Sequence, residues 1–168
     1  MSTHLPRRIV LGIGNPDSGD DAAGRAVVRR LRGVLPEHID IIEQDGEATS
    51  LLARIDGAAE IFLVDACSSG APAGTVRRFD VTRTKLPPGA FGLSTHGFGL
   101  AEAVELARAL GQLPPRCIVY AIEGATFAAG AELSPAVAAS VVDVAGRLRA
   151  EIAGDGEQEG EAPCTKPR

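Results

Sequence analysis

The chain has 168 residues, a length typical of one domain with a substantial buried core. With 45% hydrophobic and 23% charged residues, its composition is that of an ordinary globular protein. The net charge of −5 argues against a general nucleic-acid binder, which would present a basic face. No apolar run approaches the roughly 20 residues that a membrane-spanning helix needs.

The N-terminal region does not have the pattern of a signal peptide. Its apolar run, 9–13, is shorter than the roughly 7–15 residues of a signal-peptide core. The cysteines are odd in number and widely spaced, which favours neither a disulfide framework nor a zinc knuckle; they are Cys67, Cys117 and Cys164. We therefore predict a cytoplasmic protein and expect Cys117 to lie in a buried strand.

Strand and helix patterns alternate along the first half of the chain. The apolar run 9–13 is typical of a strand that is buried on both faces, and a polar turn over 15–20 follows it. Apolar residues then recur every three or four positions from Ala23 to Val34, which indicates an amphipathic helix that packs on a sheet. Further elements are predicted as a strand over 39–42, a short helix over 48–55, and a strand over 61–64 that ends in Asp65.

The second half continues the alternation. Residues 75–81 alternate in a way that predicts a more exposed strand, and an apolar stripe between Leu100 and Leu110 predicts a helix. A buried strand is predicted over 117–122. Ser134 followed by Pro135 is typical of a helix start, and the final helix buries an apolar stripe that ends at Leu148.

Strands that alternate with helices predict an α/β fold, in which a mostly parallel sheet is covered by helices on both faces as three αβα layers. We assign residues 1–153 to this single domain. Residues 154–168 contain no Leu, Ile, Val or aromatic residue and are rich in Gly, Glu and Pro. Such a segment cannot offset the entropy of ordering, so we predict a disordered acidic tail.

Candidate functional residues follow the predicted strands. In an open α/β sheet, ligands bind outside the carboxyl ends of the strands. The polar residues expected at this edge include one of only three histidines. They are Asp20, Asp21, Asp45, Asp65, His96 and Glu123.

Each of these residues also has a structural interpretation. Asp20 or Ser18 can cap the first helix, and Asp21 can interact with the dipole of its first turn. Asp65 can accept hydrogen bonds from backbone amides of the next turn. His96 lies in a glycine-flanked loop, where a lone histidine is more often structural than catalytic.

Together, two carboxylates and one imidazole at a sheet edge form a set that can ligate a metal, and a three-ligand site leaves positions open for a substrate. Nucleotide binding has little support, because Asp17 stands where the third glycine of a dinucleotide fingerprint belongs and no phosphate-loop motif occurs. Cys67 is a weak candidate for a nucleophile, because acidic neighbours would raise its pKa.

Five blocks of the sequence occur together in one order. The first is Gly12-Ile-Gly-Asn15 with Asp20-Asp-Ala-Ala-Gly24, and the second is Asp45-Gly46. The others are Leu63-Val-Asp-Ala66 with Ser68-Ser-Gly70, then Ser94-Thr-His-Gly-Phe-Gly-Leu100, then Ile122-Glu-Gly124 with Leu133-Ser-Pro135. In this order the blocks resemble the hydrogenase maturation proteases, over roughly residues 8–152.

The resemblance implies a fold, a site and a reaction. It implies a twisted five-stranded sheet with one antiparallel strand, at 75–81. It also implies that Asp21, Asp65 and His96 are metal ligands and catalytic residues of an aspartic-type endopeptidase. The substrate would be the precursor of a [NiFe]-hydrogenase large subunit, recognised through the nickel that it carries and shortened by a C-terminal extension. Asp45 and Glu123 are weaker candidates for substrate binding.

The sequence departs from the family pattern in the first block. Asp21 stands where some relatives have glutamate, which shortens the reach to a metal by one methylene, and Ala22 replaces a common glycine. Two other functions remain open: a hydrolase with its own bound metal, and a non-catalytic checkpoint or chaperone for the nickel site of the precursor. The identity of the general base is also open.

Overall fold

The computed structural model describes residues 6–91 and 99–158, with only the backbone of residues 155–158. The strands within these ranges are β1 (Arg8–Ile13), β2 (Ile39–Gln44), β3 (Glu60–Cys67), β4 (Val76–Asp80) and β5 (Arg116–Glu123). A 3-10 turn (Gly19–Ala22) precedes the first helix, and the helices are α1 (Ala23–Leu31), α2 (Ala48–Ile55), α3 (Leu100–Ala109) and α4 (Pro135–Gln158).

The strands form one sheet in the order β2-β1-β3-β5-β4. β1, β2, β3 and β5 are parallel, and β4 pairs with β5 in the antiparallel direction at the edge of the sheet. The predicted α/β fold is confirmed, including the single antiparallel strand within the residues described. β3 continues to Cys67, so Asp65 lies inside the strand and pairs with Ala121, whereas the sequence pattern had predicted that the strand ends at this residue.

Each face of the sheet carries its own apolar core, because successive side chains of a strand point to opposite faces. Val10, Phe62 and Tyr120 pack with α1 and α4 on one face. On the other face, alternate residues of the same strands pack with α2 and α3; they include Leu11, Leu63 and Val119. Cys117 is fully buried in β5 within this second core, as predicted.

Two glycines allow α1 to begin directly against the sheet. A Cβ atom on Gly12 would lie 2.2 Å from the carbonyl oxygen of Gly24, and a Cβ atom on Gly24 would lie 2.2 Å from the carbonyl oxygen of Val64. Any side chain at either position would push the helix away from β1 and β3. The glycines of this block therefore serve helix-to-sheet packing, and the 3-10 turn is held at the carboxyl ends of these strands.

The last helix is longer than the sequence predicted. α4 runs to Gln158 and so includes residues 154–158, which had been assigned to the tail. Its last buried apolar side chain is that of Ile152. The remainder of the predicted tail, 159–168, lies outside the described residues. None of the helices in the described part is long and apolar enough to cross a membrane.

Candidate active site at the carboxyl edge of the sheet

A cavity of ≈ 360 Å³ lies at the carboxyl edge of the sheet. Its walls come from the ends of β1 and β3, the β2–α2 connection, the segment 86–91 and the start of α3. Three of the predicted site residues line it, namely Asp21, Asp45 and Asp65. Their carboxyl groups come from three separate segments of the chain, and the parallel strand order brings them to one opening.

Asp65 projects into this cavity from β3 and is partly buried. Burial and the negative charge of Asp21 raise the pKa of Asp65 to about 8, and a hydrogen bond from the backbone of Ala66 opposes this only in part. A carboxylate that is buried beside a like charge is electrostatically unfavourable. A cation between Asp21 and Asp65 would relieve the repulsion, so the pair is chemically suited to contact a metal ion.

Asp21 is placed by the 3-10 turn and by the end of β1. Its Oδ2 atom accepts a hydrogen bond from the backbone N–H of Asn15, at 2.9 Å. Gly14 has a φ of +139°, and a Cβ atom there would lie 1.7 Å from the carbonyl oxygen of Asp21. Only glycine permits this approach, so Gly14 allows the turn that carries Asp21 to lie against the first strand.

Asp20, the neighbour of Asp21, points the other way. It is fully buried and accepts hydrogen bonds from Ala125, Thr126 and Ser134. Burial alone would raise its pKa, but the hydrogen bonds from these three residues hold the pKa of Asp20 below its usual value. The helix-cap interpretation is therefore wrong for Asp20, and Ser18 makes no side-chain cap bond either.

His96 lies outside the described residues, so its predicted role as a ligand stays a prediction. Phe91 and Gly99, the described residues nearest to it on either side in the sequence, both line the cavity. Within residues 6–91 and 99–158, no group of three His, Cys, Asp or Glu side chains is arranged to hold a metal ion. A ligand set of Asp21, Asp65 and His96 needs the one residue that lies beyond those ranges.

The two weaker substrate-binding candidates occupy different environments. Asp45 is exposed on the cavity wall, two residues before Glu47, whose carboxylate caps α2 by accepting from the N–H groups of Thr49 and Ser50. The side chain of Glu123 is only 3% exposed and its residue is not among those that line the cavity. The side chain of Asp45 is thus open to the cavity and that of Glu123 is enclosed, and their roles in substrate binding stay predictions.

Glu123 instead joins β5 to the segment after β3. Its carboxylate accepts hydrogen bonds from Ser69, Gly70 and the thiol of Cys67, and it lies 3.8 Å from the guanidinium of Arg77. Despite the desolvation that accompanies burial, these hydrogen bonds hold the pKa of Glu123 below its usual value. Its observed role is to order the segment beside the cavity.

Cys67 has no support as a nucleophile. Burial, and next its hydrogen bond to Glu123, raise the pKa of Cys67 to about 12, although Arg77 nearby opposes the shift. A thiol with such a pKa is almost entirely protonated at neutral pH, and the thiolate is the reactive form.

The sequence pattern did not reveal the apolar walls of the cavity. Leu86, Phe91 and Phe127 line it beside the carboxylates. Each lies in a connecting segment outside the strands and helices, where periodicity carries no information about burial. Only the folded chain brings these side chains next to Asp21 and Asp65.

Comparison with known proteins identifies the family. A family model described as hydrogenase maturation protease matches residues 26–151, well over half of the chain. The chain belongs to the hydrogenase maturation protease family. The members and structural neighbours of this family are endopeptidases, so the predicted enzyme class, a hydrolase of peptide bonds, is confirmed for the family to which the chain belongs.

Similar proteins agree with the family assignment. A hydrogenase expression/formation protein, HupD from Thiocapsa roseopersicina, is 28% identical over 120 residues, which cover 70% of this chain and 54% of that protein. The chain thus spans about half the length of this curated relative. The hydrogenase maturating endopeptidase HybD from E. coli shares the fold, with a TM-score of 0.77 and 24% identity over 89% of this chain and 94% of that chain.

A second solved structure, from Thermococcus kodakarensis, has a similar fold. The [NiFe] hydrogenase maturation protease HybD from Thermococcus kodakarensis is 26% identical, with a TM-score of 0.62, over 89% of this chain and 97% of that chain. The described core of this chain therefore has the architecture of these two solved structures.

Proposed function

We propose that this protease removes a short C-terminal extension from the precursor of a [NiFe]-hydrogenase large subunit, in the cytoplasm, after nickel has been inserted. One observation carries the proposal. In a member of the hydrogenase maturation protease family, Asp21 and Asp65 face one open cavity, close enough for the charge of one to perturb the other.

The carboxylate pair supports a role for a metal that arrives with the substrate. Carboxylate oxygens are suitable ligands for divalent cations, and imidazole suits nickel. Asp21 and Asp65, with His96 as a third ligand, would leave half of an octahedral coordination sphere unfilled. Nickel held by the precursor's own ligands would bring the missing positions with it, and the protein's ligands would then complete the sphere.

The shape of the cavity supports a peptide substrate. Its volume of ≈ 360 Å³ is enough for a few side chains of an extended segment. Leu86, Phe91 and Phe127 offer apolar contacts beside the carboxylates. The side chains of a peptide next to the nickel site of the precursor would thus contact the apolar wall of the cavity. The metal and the scissile bond would lie against the acidic wall.

The reaction that fits these groups is attack by water on the scissile carbonyl. A carboxylate within hydrogen-bond reach can orient a water molecule and accept its proton. Binding of the metal-bearing segment would hold the scissile bond against that water, which lowers the entropic part of the barrier. We assign the pair Asp21 and Asp65 to this step jointly, as the resemblance to an aspartic-type endopeptidase implies.

The test is to offer the purified protease three substrates and to follow the mass of the precursor. These are apo precursor, nickel-loaded precursor, and apo precursor with free Ni²⁺ added to the protease. We expect the C-terminal peptide to be released only from the loaded form. Asp21→Asn should abolish release, whereas Asp143→Asn, which changes a half-exposed aspartate paired with Arg147 on α4, should not.

Each arm excludes one alternative. Equal cleavage of the apo precursor would rule out metal gating. Cleavage of apo precursor only when Ni²⁺ is added would favour a hydrolase that binds its own metal. Tight binding of the loaded precursor without any mass loss would favour a non-catalytic checkpoint.

A further inference from the structure

The buried carboxylate of Asp20 accepts four hydrogen bonds at this edge of the sheet. Its residue is fully buried. Its Oδ2 atom accepts from the N–H of Ala125 at 2.7 Å, from the N–H of Thr126 at 3.1 Å and from the hydroxyl of Ser134 at 2.9 Å. Its Oδ1 atom accepts from the N–H of Ser134 at 2.7 Å. One side chain thus joins the 3-10 turn to a segment more than 100 residues away in the sequence.

Backbone hydrogen bonds also join the two segments. The N–H of Asp20 donates to the carbonyl oxygen of Thr126 at 2.8 Å, and the N–H of Gly19 donates to that of Ala131 at 3.2 Å. Gly19 has a φ of +57°, and a Cβ atom there would lie 2.6 Å from the carbonyl oxygen of Thr126. The 3-10 turn and the segment 124–134 therefore form one packed unit.

This unit holds the backbone that carries Asp21. Asp20 and Asp21 are consecutive in a single short turn, so anchoring Asp20 fixes the point from which the side chain of Asp21 projects. With Asp20 anchored inward, Asp21 lines the cavity, and its Oδ2 atom accepts from the N–H of Asn15. We propose that Asp20 is a positioning residue: its buried hydrogen bonds to the segment 124–134 hold the turn so that Asp21 faces Asp65 across the cavity.

The hydrogen bonds of Asp20 also hold an apolar wall of the cavity. Phe127 belongs to the segment that Asp20 holds, lines the cavity and packs on Gly124, where a Cβ atom would lie 2.5 Å from the ring. The polar and the apolar sides of the cavity near Asp21 thus depend on one buried carboxylate. The importance of Asp20 for cleavage rests on the proposed function, but its effect on the direction of Asp21 does not.

Asparagine cannot replace Asp20 in this role. A carboxylate offers two acceptor oxygens, whereas an amide offers one oxygen and an NH₂ donor. In either orientation, the NH₂ group of Asp20→Asn would face an N–H of the segment 124–134 that now finds an acceptor there. Asp20→Asn should therefore loosen the turn. Ser134→Ala removes only the hydroxyl bond and keeps the backbone bond, so it should produce a smaller effect of the same kind.

The experiment measures the Asn15 amide, which reports directly on the position of the Asp21 carboxylate. The ¹⁵N–¹H resonance and hydrogen-exchange rate of Asn15 are compared in the wild type, Asp20→Asn, Ser134→Ala and Asp21→Asn. Glu151→Gln is the matched control, because Glu151 is also a poorly exposed, hydrogen-bonded carboxylate but lies on α4, where it contacts Arg116 at the amino end of β5. All variants are studied at a temperature where they are folded, and turnover of nickel-loaded precursor is measured in parallel.

We expect Asp20→Asn to shift the Asn15 resonance towards that of Asp21→Asn and to raise its exchange rate roughly tenfold or more. Ser134→Ala should move both in the same direction, whereas Glu151→Gln, which lowers global stability, should leave the Asn15 resonance in place. Cleavage by Asp20→Asn should show a kcat lowered roughly tenfold or more with little change in KM, because a small displacement of a reacting group costs about that much or more.

A wild-type Asn15 amide in folded Asp20→Asn and Ser134→Ala would overturn the proposal. If Asp20→Asn does not fold, Ser134→Ala decides the question by itself. If the wild type releases no peptide from nickel-loaded precursor, the proposed function fails, and the Asn15 amide still decides whether Asp20 positions Asp21.

Discussion

Asp21 and Asp65 lie on different elements, the 3-10 turn and β3, yet both line one cavity, and the charge of Asp21 raises the pKa of Asp65. Such an arrangement is unfavourable in a resting protein, because burial and the nearby charge of Asp21 oppose ionisation of Asp65. Groups that are unfavourable for stability and gathered in a cleft are typical of functional sites.

Replacement of Asp65 should separate function from stability. We expect Asp65→Asn to abolish release of the C-terminal peptide, because the amide is neutral and a poorer metal ligand. Its melting temperature should equal or exceed that of the wild type, since the substitution removes a carboxyl that burial and Asp21 already disfavour. Calorimetry and the mass assay check both parts. A large fall in melting temperature would mean that Asp65 mainly supports the fold.

Replacement of His96 tests the third predicted ligand. His96→Ala should abolish processing of nickel-loaded precursor, because His96 is predicted to be a metal ligand. It should leave the far-UV circular dichroism unchanged, because His96 is not predicted to pack in the core. His38→Ala, at an exposed position before β2, is the control and should process normally. A folded His96→Ala protein with wild-type processing would contradict the ligand assignment.

The isolated protease should be poor in metal. Two carboxylates and one imidazole, without an assigned thiolate, form too sparse a set to retain nickel against cellular competitors. Elemental analysis after purification should find well under one nickel or zinc ion per chain, and calorimetric titration should find only weak binding of Ni²⁺. A stoichiometric ion that survives dialysis would instead favour a hydrolase with its own metal.

Glu151 on α4 should make the stability of the fold depend on pH. Burial disfavours the charged form of Glu151, but hydrogen bonds from Arg78 and Tyr120, with the charge of Arg116, hold its pKa below the usual value. A depressed folded-state pKa stabilises the fold above the unfolded-state pKa, and this contribution is lost as pH falls through the folded-state value. Glu151→Gln should therefore lower the free energy of unfolding at pH 7 by about 1–2 kcal/mol, since the arginines are partly exposed.

The difference between wild type and Glu151→Gln should then shrink as the pH is lowered below about 4.5, the ordinary pKa of glutamate. Urea unfolding at a series of pH values measures it. An equal difference at pH 7 and pH 3 would show that Glu151 acts through packing and not through its charge.

Truncation after Ala153 should be tolerated. Ile152 is the last buried apolar side chain of α4, and the described residues that follow it, Ala153 and Gly154, are exposed. We expect deletion of residues 154–168 to change the melting temperature by only a few degrees and to leave processing intact. Truncation after Glu151, which also removes Ile152, is the comparison and should cost clearly more. A large loss on the shorter deletion would show that the tail packs on the domain.

The order of strands and helices could be predicted from the sequence because it depends on local periodicity. Buried parallel strands such as 9–13 are continuous apolar runs, and helices such as α2 show an apolar stripe. The ends of elements were less accurate. β3 extends past its predicted limit because its pairing with β5 continues to Cys67, and the helical backbone of α4 continues to Gln158 although Ile152 is its last buried apolar side chain.

The candidate carboxylates could likewise be listed from the sequence, because parallel strands bring their carboxyl ends to one edge. What each carboxylate does depended on the tertiary structure. Asp20 and Asp21 are the same residue type and adjacent in the chain. Asp20 is nevertheless buried against the segment 124–134, whereas Asp21 lines the cavity. Glu123 follows the same strand-end pattern as Asp65 but is enclosed by the residues after β3. These differences arise from contacts between segments up to more than 100 residues apart, which no local pattern of the sequence records.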